Sequence, residues 1–177
     1  MLLKTFTSRD SNLWRLLYIS LVRPHLEFAS TVWNPYLKGD IEVLEKIQRK
    51  ATRIPTELRD LEYEDRLKRW GLTTLEKRRV RGDLIQMYKV RNELESISWH
   101  TNSGPLYAPP STSRQGTKNV YRMKEETFSS RLRNDHGHSV MVREGFFLNR
   151  TVKNWNELVN SQIEAQSLNS FKANIDR

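Results

Sequence analysis

The chain of 177 residues contains no cysteine. That absence excludes a disulfide framework, a thiolate zinc site and a cysteine nucleophile. It accords with an intracellular setting, cytoplasmic or nuclear. No apolar run approaches the roughly 18 residues of a membrane span, so no membrane partner is expected. The N-terminal MLLKTFTSRD turns polar too soon to read as a signal peptide. The seven glycines form no phosphate-cradling loop, and Gly-x-Ser-x-Gly is missing. The hydrophobic share of 37% falls below the usual ~45–50%. A modest core under a charged surface follows. No internal repeat or low-complexity tract is present.

Positive charge is what the chain has in excess: 30 Lys and Arg against 21 Asp and Glu, a formal +9. Most of it is local. Residues 46 to 91 hold 14 Lys/Arg and 7 Asp/Glu, and this surplus of 7 lies within one quarter of the chain. A concentrated basic surface points to a polyanionic partner. The blander reading is charge kept for solubility.

The apolar spacing gives a mainly α fold. Residues 10 to 94 read as an array of four to five short helices. Ser11 or Asp10 can cap the first, which carries Leu13, Trp14, Leu17, Tyr18 and Leu21 and is expected to kink or end at Pro24. His25 reads as packed or half-buried. In the next helix Ile41, Leu44, Ile47, Ala51 and Ile54 share one face. A short helix from Tyr63 to Trp70 ends at Gly71, a C′ glycine with Leu72 behind it. Thr73 and Glu76 have the spacing of a capping box for the helix through Val80, Leu84, Met87 and Tyr88. The domain plan is a basic helical region over 1–95, a loop-rich linker over 96–127 and a helical extension over 128–177. In the extension Phe146, Phe147, Val152, Trp155, Leu158 and Val159 make one stripe, a strand is possible near Ser139 to Arg143, and Ser167 caps a terminal helix bearing Leu168, Phe171 and Ile175.

Catalytic constellations are weak. The acidic pairs Asp60 with Glu62, Glu64 with Asp65 and Glu125 with Glu126, and the lone Asp10, sit among basic residues rather than behind an apolar strand. Caps and solvated surface explain them better than two-metal chemistry. His136 and His138 offer two metal nitrogens with no further ligand nearby. No catalytic residue, metal site or cofactor is assigned. The basic helices make the stronger case. Lys46, Arg49, Lys50 and Arg53 fall at i, i+3, i+4 and i+7, and Lys77, Arg78, Arg79 and Arg81 crowd little more than one turn. Like charges so placed repel and are weakly offset by Glu42, Glu45, Glu76 and Asp83. These eight residues are the candidate phosphate contacts. Trp70, Trp99 and Tyr107 are candidate stacking partners for bases, with core packing the commoner role for Trp70.

Three blocks carry a family resemblance: Leu-Val-Arg-Pro (21–24), Ser-x-Val-Trp (30–33) and Leu-Glu-Lys-Ile-Gln-Arg-Lys-Ala-Thr-Arg (44–53). With LRDLEYEDRLKRWGLTTLEKRRVRGDLIQMYK, RLRNDHGHSV, FFLNRTVKNWNEL and SLNSFKANIDR, the chain resembles the region following the reverse transcriptase domain of jockey-like non-LTR retrotransposons. The resemblance runs nearly its whole length. Members copy element RNA into DNA with palm-domain aspartates in a Tyr/Phe-Ala-Asp-Asp turn. This sequence lacks that turn and the family's endonuclease, so it reads as starting downstream of the palm. The resemblance implies a thumb-like helical segment that grips a template–primer duplex, with a C-terminal extension and no enzymatic activity of its own. Val159 stands where a proline is expected after Trp-Asn-Glu-Leu, which leaves the end of that helix open. The expected partner is RNA, DNA or a hybrid duplex, held by its phosphates. The alternatives are an interaction module that docks on the polymerase palm region or on itself through the first helix, and a decayed relic without activity.

Overall fold

The structure, a computed structural model, describes residues 2–96, 121–124 and 146–176. It is mainly α-helical. The helices are α1 (Leu2–Thr5), α2 (Ser11–Leu17), α3 (Arg23–Glu27), α4 (Ser30–Trp33), α5 (Lys38–Thr52), α6 (Tyr63–Trp70), α7 (Leu75–Arg91), α8 (Phe147–Glu157), α9 (Asn160–Ile163) and α10 (Leu168–Ile175). The strand near Ser139, the histidines His136 and His138, Glu125 with Glu126, and Trp99 and Tyr107 lie outside the described residues. Contacts divide the chain into two compact units, Met1–Arg79 and Val80–Arg177. The boundary falls inside α7. One helix serves two cores, and periodicity along it does not reveal where one core gives way to the other.

In the first unit α2 begins as expected: the Asp10 carboxylate accepts from the Leu13 amide at 2.8 Å. Pro24 does not end the helix. A π-helical segment, Tyr18–Val22, joins α2 to α3, and the Arg23 amide reaches back five residues to the Tyr18 carbonyl. Proline brings no N–H and its ring crowds the carbonyl four residues earlier; a widened turn just before it gives that ring room. The run stops at Ala29, which adopts a left-handed φ of 49°. His25 is exposed, contrary to expectation, because Leu26 is the residue that turns into the core. That core holds Trp14, Tyr18, Leu26, Leu58, Trp70 and Leu75. Trp70 is 2% exposed, donates to Ser11 Oγ at 3.0 Å and packs 6.1 Å from the Tyr18 ring. It is core and not a stacking platform.

α5 buries a face that its apolar spacing does not mark. Leu44, Ala51 and Ile54 pack on the core, but the buried residues of α5 are Glu45, Gln48 and Thr52, whereas Ile47 is exposed. The cause is what lies opposite. The Tyr18 hydroxyl donates to Gln48 Oε1 at 2.6 Å, and Gln48 Nε2 donates to the Tyr63 hydroxyl at 2.9 Å and the Thr73 carbonyl at 3.0 Å. The Tyr63 hydroxyl and the Leu75 amide donate to the two oxygens of Glu45. Arg66 Nε donates to Thr52 Oγ1 at 3.1 Å. Hydroxyls, a carbonyl and a helix N-terminus require polar partners once buried, and each such bond is worth about 0.5–1.5 kcal/mol net, more to a charged group. The start of α7 is fixed by this network. Thr74, one residue later than expected, supplies the cap by accepting from the Lys77 amide at 3.3 Å.

The second unit packs Leu84, Met87 and Tyr88 of α7 against Val152, Trp155, Ile163 and Phe171. Tyr88 and Phe171 stack with centroids 4.3 Å apart. Arg150 forks onto Asp83 with both bonds at 2.8 Å, a largely buried pair whose loss on one side costs about 3–5 kcal/mol. Residues 121–124 belong to this unit. The Asn156 side chain both accepts from the Met123 amide at 2.8 Å and donates to the Met123 carbonyl at 3.0 Å. α8 ends at Glu157 without a proline, because Leu158 and Val159 are both extended. Ser167 caps α10 by accepting from the Ser170 amide at 3.2 Å. Among the described residues no helix is long and apolar enough to cross a membrane.

Candidate nucleic-acid interface

With Glu45, Gln48 and Thr52 turned inward, the opposite side of α5 is set. Lys46, Lys50 and Arg53 are exposed along it at i, i+4 and i+7, about 6 and 10 Å apart along the axis. None of the three forms an ion pair among the described residues. Arg49 is drawn aside. It bonds Glu42 Oε1 at 2.9 Å and lies 5.0 Å over the Tyr63 ring.

The second basic group comes apart. Lys77 is exposed and forms no ion pair among the described residues. Arg78 forks onto Glu27 through Nε and Nη2. Glu27 also lies 4.0 Å from Arg23, whose guanidinium is pushed below its ordinary value by burial first and then by the Arg78 charge. Arg79 is 3% exposed and so cannot act as the surface phosphate contact that its sequence position suggested. The reason is helical phase: α7 turns Leu75 fully inward, and Arg79, one turn later, follows it. Arg81, in the second unit, forks onto Asp176 at 2.6 and 2.7 Å, a bond that raises its affinity for the proton. Of the eight expected contacts, Lys46, Lys50, Arg53 and Lys77 are available as they stand. Arg49, Arg78 and Arg81 are engaged by carboxylates. Arg59 and Arg69, missed in the sequence, are exposed and form no ion pair among the described residues.

Beside the α5 row the structure opens a cleft of about 410 Å³ lined by Trp33, Asn34, Pro35, Tyr36, Asp40, Val43 and Leu44. Pro35 stops α4, and the rings flanking it are left half-exposed, Trp33 at 42% and Tyr36 at 44%. The signal for this feature was the Trp-Asn-Pro-Tyr turn: aromatic residues beside a helix-breaking proline have no following helical turn to cover them. Acidic residues hold structural places. Asp10 is a cap and Asp65 pairs with Lys68 at 3.1 Å. No three His, Cys, Asp or Glu side chains converge among the described residues. Compared with protein-family models, curated proteins and solved structures, the chain matches none.

Proposed function

We propose that the chain is a nucleic-acid-binding helical region of a non-LTR retrotransposon reverse transcriptase, without polymerase chemistry of its own. The observation that carries this reading is the row Lys46, Lys50 and Arg53, held outward on a helix whose other side is fixed by buried hydrogen bonds. Cations placed at that spacing without carboxylate partners favour a polyanion, and a rigid helix presents them without an ordering cost. The blocks at 21–24, 30–33 and 44–53 support the family reading, and all three cations lie in the last block. The test is fluorescence anisotropy of the chain with single-stranded RNA and an RNA–DNA hybrid. Changing Lys46, Lys50 and Arg53 together to Ala is expected to weaken binding at least tenfold at low salt. Equal affinity of wild type and variant defeats the reading.

A second reading is favoured by Leu16 and Leu21, 62% and 50% exposed. A helix that buries Trp14 and Tyr18 on one side and shows leucines on the other suits docking on a polymerase body or on a second copy. Light scattering on the eluted chain distinguishes them: a monomer at all concentrations speaks against self-association.

A further inference from the structure

The cleft beside α5 adds a specificity that phosphate contacts lack. We infer that it receives an unpaired nucleobase, so that the chain binds single-stranded nucleic acid in preference to a duplex; this rests on the nucleic-acid reading above. The occupant follows from the lining. Trp33 and Tyr36 are half-exposed aromatic rings, and the Trp33 indole nitrogen donates to the Phe28 carbonyl, which holds the ring in place. Val43 and Leu44 make the floor apolar. A volume near 410 Å³ lies within the ~300–1,000 Å³ of small-molecule clefts. Asp40 on the wall repels a phosphate but accepts an N–H, which selects the base and not the backbone. Val43 lines the cleft and stands three residues before Lys46 and seven before Lys50, on the same side of α5. A strand whose phosphates follow that row therefore has its bases within reach of the cleft. A base inside a duplex is stacked and paired on both sides and cannot enter.

The experiment compares one labelled RNA strand with the same strand made abasic and with its hybrid to DNA, on the full chain. Stacking of a base on an aromatic side chain predicts that the intact strand binds roughly 5- to 150-fold better than the abasic one. In Trp33→Ala and in Tyr36→Ala that gap shrinks while abasic binding stays put. Two variants guard against the loss of the Trp33 bond to Phe28 disturbing α4, and the abasic comparison on wild type needs no variant. Equal binding of intact and abasic strands, a preference for the hybrid, or a gap unchanged in both variants overturns the inference. If the triple variant of Lys46, Lys50 and Arg53 also binds as wild type does, the nucleic-acid reading itself falls. If only that variant weakens binding, the phosphate row stands without the cleft.

Discussion

Tyr18 and Tyr63 are phenols put to work as buried donors, and their titration records it. Burial is the main cause that pushes both hydroxyls above their ordinary value, and for Tyr63 the hydrogen bond to Glu45 adds to it. In the unfolded chain each loses its proton near pH 10, whereas the folded chain retains it. The folded state then binds more protons, so stability is full below that pH and falls above it. The expected slope is about 1.4 kcal/mol per pH unit for each tyrosine so held. Urea midpoints at several pH values between about 9.5 and 11 should show the decline. Tyr18→Phe should make it shallower in that window, even though the variant is less stable at neutral pH for want of the bond to Gln48. Parallel curves for variant and wild type would mean that the phenol titrates alike in both states.

The ends of α6 and α7 are a matched pair at the scale of the element. Both close with the same two bonds: Leu72 to Leu67 and Gly71 to Lys68 in one, Leu94 to Lys89 and Glu93 to Val90 in the other. Each places one residue in the left-handed region, Gly71 at φ 63° and Glu93 at φ 55°. Only the first is glycine. A Cβ at Gly71 would meet no atom within 4 Å, so Gly71→Ala isolates the backbone cost, about 1–2 kcal/mol of lost stability. Glu93→Gly relieves the same strain and should gain roughly 0.5–1 kcal/mol. Opposite shifts in the denaturation midpoint are the expected result, and two losses would show that Glu93 contributes something its backbone does not explain. Gly71, Ser167 and Asp10 were legible because caps and C′ glycines are local signals. The inward face of α5 was not. Ile41, Leu44, Ile47, Ala51 and Ile54 announce a helix correctly, yet Glu45, Gln48 and Thr52 are buried because two tyrosines and the start of α7 require partners from distant sequence. The wide turn before Pro24 was likewise hidden: proline signals trouble for a helix but not how the chain absorbs it.

At the scale of the molecule the sequence counts charge, and the fold decides how much of it is available. Eight candidate contacts were legible as types and spacings; their state depended on Glu27, Glu42 and Asp176, which lie up to 95 residues away in sequence. This difference is measurable. Each phosphate neutralised on a single strand contributes about −0.7 to the slope of log affinity against log salt. Eight contacts give a slope near about −5.6, a loss of about 2,000-fold between about 50 and 200 mM salt. Lys46, Lys50, Arg53 and Lys77 alone give about −2.8 and about 50-fold, rising to about −4 if Arg59 and Arg69 also reach phosphate. We expect the shallower range. Lys50→Ala should reduce the slope by nearly one contact, whereas Arg78→Ala should leave it where it was, since that guanidinium already holds a carboxylate. A slope of about −4.9, with Arg49→Ala, Arg78→Ala and Arg81→Ala each lowering it, would show that phosphate displaces Glu42, Glu27 and Asp176.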